Sequence, residues 1–470
     1  MNKIIIKNAK IVNESEVFDA DVLISGESIE AVGHDLEQEG IDCKDAEVID
    51  ASGKILLPGA VDVHTHMDLD VGIARACDDF YTGTVAAACG GTTTIVDHMA
   101  FAKDDVGLMH QVDEYHRLAD GNAVIDYGFH GVLQNMNDAK LDEMKRIAKS
   151  EGITSWKAYM TYRPNMLDDE WLFKTLRLAA EEGLVIPAHC ENDALVELTK
   201  AELGAAGKWQ ARYHPLARPA YAEAEAVSRL LYLAKAAGEA PAYVVHLSSE
   251  AGLKEVIKSR EAGQKHFGVE TCTQYLSLTD AAYEDDKEGL KAIMSPPLRK
   301  QADIDALWKA LADGGIIDTI ATDHCPFTFG EQKQLGASDF RKCPNGAPGV
   351  EERLSVIYSE GVAKGRITLP EMVKYLCTEP AKIFGLYPKK GAVIPGADAD
   401  LVIMNPDETR ILTINDMHGA NDYTCYEGME ITGRIEKVYS RGRLVAESNE
   451  FKGSRGYGRY LKRGIGSLVQ

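Results

Sequence analysis

The sequence predicts an α/β fold in which a TIM (β/α)8 barrel is inserted in a small β-sandwich built from both chain ends. Three observations point there. Short alternating runs occupy both ends of the chain, eight apolar runs alternate with helical segments between them, and metal-ligand residue types sit where those apolar runs end.

The opening segment alternates in strand fashion over 3–6, 9–12, 21–24 and 28–32, with Asn13, Gly26 and Gly33 as turn residues. Residues 54–59 add a strand closed by Pro58-Gly59. The rhythm then changes. Apolar runs at 60–66, 92–98, 123–132, 153–160, 184–190, 242–248, 267–275 and 317–323 read as barrel strands, and segments such as 139–150, 171–182 and 222–237 between them carry helical periodicity. Doubly wound sheets share this alternation, and the chemistry at the run ends favours the barrel. Short strands return at 391–394, 400–404, 431–435 and 438–447. The expected division is a first sandwich part at 1–55, the barrel at 56–385, a second sandwich part at 386–450 and a basic tail at 451–470. Two readings of the tail stay open, a solvated terminus or a clasp on a neighbouring subunit.

Composition narrows the function. Acidic residues outnumber basic ones 73 to 51, a formal charge of -22, and that field repels phosphate backbones, so no nucleic-acid partner is expected. No apolar run approaches the roughly 20 residues that span a bilayer, and the opening one is too short for a signal peptide, so no membrane partner is expected. Nine cysteines without a Cys-x-x-Cys pair read as reduced thiols of a cytoplasmic protein.

The run ends carry the chemistry: His64-Thr65-His66 on the first, Lys157 on the fourth, His189 on the fifth, His246 on the sixth and Asp323 on the eighth. Strand residues two apart share a face, so His64 and His66 can grip one cation. That the four histidines and Asp323 are five unrelated polar residues ending buried strands is the bland alternative; buried polar groups need partners, and a shared metal site supplies them together. Lys157 cannot ligate as an ammonium. Burial lowers its pKa, and the neutral amine can add carbon dioxide, which is one chemical fate among several. His98, His130 and His324 read as structural, and Cys190 and Cys325 as packing residues.

These run ends, with Gly59-Ala60-Val61-Asp62-Val63-His64-Thr65-His66, Cys89-Gly90-Gly91-Thr92-Thr93-Thr94, Ser295-Pro296-Pro297-Leu298-Arg299, Pro344-Asn345-Gly346-Ala347-Pro348-Gly349-Val350-Glu351 and Gly396-Ala397-Asp398-Ala399-Asp400-Leu401, resemble the amidohydrolase superfamily and, within it, the dihydropyrimidinase/hydantoinase family. The loop Asp70-Val71-Gly72-Ile73-Ala74-Arg75 with Cys77-Asp78-Asp79-Phe80 is most similar to bacterial D-phenylhydantoinases. The resemblance implies a hydrolase with two divalent metals, zinc or manganese. His64, His66 and Asp323 would hold one, His189 and His246 the other, and carbamylated Lys157 (N6-carboxylysine) would bridge them. It further implies Asp323 as general base and acid, Tyr162 as oxyanion donor, and backbone groups of Ser295 and Asn345 on the substrate imide. A cytosolic homotetramer opening 5-substituted hydantoins to N-carbamoyl amino acids is the expected protein. Dihydrouracil and allantoin-like rings are the alternatives, and a non-catalytic scaffold is disfavoured by the intact ligand set. Asp68 stands where dihydroorotase-like sequences place a carboxylate-binding arginine, which argues against an acidic ring. Val71, Ile73, Tyr159 and Met166 are candidates for an apolar pocket wall.

Overall fold

The computed structural model describes residues 3–103 and 105–469. Seventeen strands run in chain order: β1 (Lys3–Val12), β2 (Val17–Ser25), β3 (Ser28–Gly33), β4 (Glu47–Asp50), β5 (Ile55–Pro58), β6 (Ala60–Thr65), β7 (Thr92–His98), β8 (Asp126–Val132), β9 (Trp156–Tyr159), β10 (Ile186–His189), β11 (Ala242–Val244), β12 (Phe267–Cys272), β13 (Thr319–Ala321), β14 (Leu401–Ile411), β15 (Glu430–Ser440), β16 (Arg443–Glu447) and β17 (Glu450–Phe451).

Strands β6 to β13 pair in parallel, each beside its neighbour in sequence, in one eight-stranded sheet. The sheet closes where Thr65 bridges His324 and the His66 N–H donates to the His324 carbonyl at 2.8 Å. All eight apolar runs thus become barrel strands. Helices between them start on side-chain caps. Asn137 accepts from Lys140 N, Asp168 from Trp171 N, Asn192 from Leu195 N and Ser249 from Gly252 N. Gly152 and Gly183, at φ 68° and 69°, end two of them in the left-handed conformation that glycine adopts cheaply.

The chain ends combine into one nine-stranded sheet in the order β17-β16-β15-β14-β5-β1-β2-β3, with β4 on β1. The turn between β2 and β3 packs on the turn between β15 and β16 so tightly that a Cβ on Gly442 would lie 2.1 Å from the Gly26 carbonyl oxygen. Three expectations change here. Runs 3–6 and 9–12 are one strand, because Asn8 at φ 58° absorbs an irregularity between Ile6 and Ala9 without ending the pairing to β2. Residues 431–440 are likewise continuous. Residues 391–394 form no strand; the Asn13 side chain takes a strand partner's place, accepting from Val393 N at 2.9 Å and donating to Val393 O at 3.2 Å.

The basic tail runs along its own chain, with Lys452, Arg455, Arg459 and Lys462 exposed and Arg463 buried. Tyr127 N donates to Arg459 O and Leu461 N to Tyr127 O, which lays the segment beneath the start of β8. Arg463 is buried and donates to Phe129 O at 2.6 Å and Ser155 Oγ at 2.8 Å. The tail closes the end of the barrel opposite the site.

Candidate active site

Left-handed backbone aims three of the site side chains. β11 stops at Val244 and β13 at Ala321, short of the apolar runs that predicted them. Just beyond, His246 and Asp323 adopt φ 41° and 55°, and Tyr162, three residues past β9, adopts φ 72°. Each such residue costs about 1–3 kcal/mol, a cost that concentrates where side-chain direction matters.

His64 Nε2 and His66 Nε2 both converge on Asp323 Oδ1, at 3.1 and 3.0 Å. Lys157 Nζ lies 3.4 Å from His64 Nε2. Beside them, His246 Nε2 faces His189 Nδ1 at 2.9 Å. The structure therefore brings all six expected metal-site residues together in two adjoining groups. Tyr162 stands over the second group, its ring centroid 5.0 Å from that of His189. Ser295 and Asn345 meet across the cavity, Ser295 Oγ donating to Asn345 Oδ1 at 2.8 Å.

Two carboxylates that sequence reasoning missed orient these rings. Glu270 Oε1 lies 2.6 Å from His64 Nδ1 and accepts from His246 N at 2.9 Å. Glu191 Oε2 lies 2.7 Å from His189 Nε2 and pairs with the buried guanidinium of Arg218. A proton shared with each carboxylate leaves a lone pair on His64 Nε2 and on His189 Nδ1. His64 Nε2 then confronts a carboxylate oxygen and His189 Nδ1 a second imidazole. The first pair sets acceptor against acceptor, while His246 Nε2–H can donate to His189 Nδ1; imidazole nitrogens and a carboxylate oxygen converging this closely are a donor set that fits divalent cations. A signal for both acids existed. Glu270 interrupts an apolar run, and Glu191 follows His189 at the two-residue spacing of one strand face.

Electrostatics follow burial. Desolvation pushes the Lys157 ammonium down to about 8 and the His66 imidazolium down to about 4. Burial raises Asp323, but His64 and His66 outweigh it and hold the carboxyl well below its usual range. Burial likewise opposes ionisation of Glu191, yet Arg218 and His189 bring it down to about 2. Burial lifts Tyr162 to about 12, which keeps its hydroxyl a donor.

The residues expected to be structural divide. His324 donates from Nε2 to Asp78 and accepts at Nδ1 from Gly349 N and Val350 N. His130 is held by Ser155 Oγ and Val63 O. His98 is wedged against His64 and His130, with ring centroids 4.3 and 4.2 Å away, and neither of its nitrogens has a partner. The site opens into a cavity of about 620 Å³ with Leu69, Val71, Ile73, Phe101 and Tyr159 among its lining. Met166 is not part of that wall, contrary to expectation. Asp68 turns away from it, accepting from Phe80 N and pairing with Arg75 at 3.4 Å.

A family model described as "Amidohydrolase family" matches residues 55–445. The chain belongs to the amidohydrolase family. Among curated members, this amidohydrolase is 44% identical to D-phenylhydantoinase of Escherichia coli K12 over 461 residues, 98% of each chain. It superimposes on dihydropyrimidinase of Brevibacillus agri with a TM-score of 0.95 at 43% identity, covering 99% of both chains. L-hydantoinase (dihydropyrimidinase) of Arthrobacter aurescens gives 0.87 at 30% identity, over 98% of this chain and 99% of that one. Among the described residues no helix is long and apolar enough to cross a membrane.

Proposed function

We propose that the chain is a cyclic amidohydrolase of the D-phenylhydantoinase type, opening the ring amide of 5-substituted hydantoins to N-carbamoyl amino acids. The observation that carries this reading is the pair of facing donor groups, His64/His66/Asp323 and His189/His246, around Lys157 at the foot of an apolar-walled cavity. The relatives named above act on hydantoins or dihydropyrimidines by name, and the ligand set gathered at this site extends that chemistry here.

His64, His66 and Asp323 would hold one divalent cation, zinc or manganese, and His189 and His246 a second, with Lys157 between them as a carbamate. Addition of the neutral amine to carbon dioxide, with loss of one proton, gives that anion, and burial of Lys157 favours the neutral form. Bound there, the two cations supply Lewis acidity and activate water at neutral pH. The protein's own groups do the rest. Both histidines engage Asp323 Oδ1, which leaves Oδ2 to take a proton from water and return it to the leaving ring nitrogen. The Tyr162 hydroxyl donates to the carbonyl oxygen as negative charge develops there. Ser295 and Asn345 hold the imide edge, and Val71, Ile73 and Tyr159 cover the 5-substituent. Arg163 and Arg341 at the mouth are already paired with Asp193 and Asp339, so among the described residues the cavity wall offers no unpaired arginine to a ring carboxylate.

The test is a panel of dihydrouracil, hydantoin, 5-phenylhydantoin, allantoin and dihydroorotate, run with metal analysis and chiral separation of the product. Opening of 5-phenylhydantoin to the D product by protein carrying close to two metal equivalents is expected. Preference for dihydroorotate, or full activity without metal, refutes the assignment. Cytoplasmic location and a homotetramer complete the proposal. All nine cysteines are free thiols, and exposed Tyr221 and Tyr232 lie about three turns apart on the helix Ala220–Ala236. Light scattering should return four times the 51.3 kDa chain mass.

A further inference from the structure

Among the buried cations outside the metal ligands and the ion pairs is Lys333. Lys333 opens the short 3-10 turn Lys333–Gly336, and its side chain is wholly buried. Its ammonium donates to three backbone carbonyls: Ile293 at 2.7 Å, Pro344 at 2.9 Å and Gly346 at 2.6 Å. Those three bonds use every proton the group has. Burying an ammonium is costly, and a neutral side chain of the same length would fill the space without that cost.

The three carbonyls belong to two segments distant in sequence. One leads into Ser295, and the other brackets Asn345 on both sides. Gly346 N also donates to Ile293 O at 3.0 Å, so the two segments are joined at the same point. Their neighbouring carbonyls are occupied as well. Ala292 O accepts from Tyr283, Met294 O pairs with His214 Nε2, and Pro296 O accepts from Tyr275, each at 2.7 Å. Cys343 O accepts from Asn345 Nδ2, and Ala347 O from Cys325 N. Across 292–296 and 343–347, the carbonyls of Ser295 and Asn345 are the two with no intramolecular hydrogen bond among the described residues. Both residues line the cavity.

We infer that Lys333 is a positioning residue whose ammonium sets the spacing of these two segments, so that the free Ser295 and Asn345 carbonyls meet the N–H edge of the ring imide. The inference rests on the reading above that these backbone groups hold the substrate. A trans peptide directs its N–H opposite its C=O, so anchoring the Pro344 carbonyl on Lys333 also fixes the direction of the Asn345 N–H.

The experiment compares 5-phenylhydantoin with its N3-methyl derivative, in which the imide proton is replaced, on wild type, Lys333→Met and Lys333→Gln. Metal content and circular dichroism are recorded for each protein. Wild type should discriminate strongly against the methylated ring. Lys333→Met should raise KM for 5-phenylhydantoin at least about 10-fold while kcat changes less than about 3-fold, the signature of lost uniform binding. Its KM for the methylated ring and its metal content should stay put, so discrimination collapses. Lys333→Gln, which keeps two donors, should fall between, and it carries the test alone if Lys333→Met does not fold. Discrimination by wild type with an unchanged KM and unchanged discrimination in the folded variants overturns the role of Lys333. Equal handling of both rings by wild type overturns the imide reading itself, and the role of Lys333 with it.

Discussion

The two ends of the barrel are built from the same eight strands and obey opposite rules. At the floor, charges are neutralised within the chain. Lys390 reaches Asp126 at 2.7 Å and Asp400 at 2.8 Å, and Arg441 meets Asp126 at 3.0 Å. At the mouth, the His64 Nε2 lone pair confronts the Asp323 carboxylate, His98 and His66 Nδ1 lack partners, and three side chains are held on left-handed backbone. A buried network satisfied by its own members stabilises. A donor set left incomplete is a binding site, and the satisfied floor offsets its cost.

Variants that strike one end should sharpen this contrast. The largest effect is expected from Lys157→Ala, which should abolish turnover and lower the metal content by at least one equivalent while circular dichroism stays native. Near-normal turnover with both metals would make Lys157 structural. Tyr162→Phe comes next, with kcat reduced about 100- to 1,000-fold and metal content unchanged. A rise in KM alone would reassign Tyr162 to ground-state binding. Glu191→Gln keeps the shape of the group but weakens its hold on His189 and Arg218, so metal affinity should drop about 10- to 100-fold, read by chelator competition. The smallest functional effect belongs to the floor. Arg463→Ala leaves Phe129 O and Ser155 Oγ without a donor and should cost about 1–3 kcal/mol in denaturant unfolding. Its turnover and metal content should match wild type; loss of metal in that variant would show that the two ends are coupled, with His130 bridging Ser155 to Val63 as the obvious route.

The same contrast explains what could be read before the structure was known. All eight barrel strands were legible, because a strand buried on both faces is a continuous apolar run whatever it packs against. The metal ligands were legible for a related reason, since histidine, lysine and aspartate at the ends of such runs conflict with burial unless they share a task. Strand β4 was missed because its residues are mostly exposed and it pairs with β1 alone. Residues 391–394 misled because a short apolar run reads as a strand, while the Asn13 amide occupies the partner's place.

By itself, then, the sequence determined the barrel, its insertion between the paired chain ends and the residue types of the site, because hydrophobic period and residue chemistry act locally along the chain. Tertiary structure alone decided the rest: that Glu270 and Glu191 orient the rings, that Lys333 joins the segments of Ser295 and Asn345, that Met166 and Asp68 stay out of the cavity wall, and that the tail seals its own barrel. Each of these depends on contacts between segments far apart in sequence or on backbone dihedrals such as φ 55° at Asp323. Neither leaves a periodic trace in the order of residues, since only closure of the barrel brings the partners within hydrogen-bonding reach.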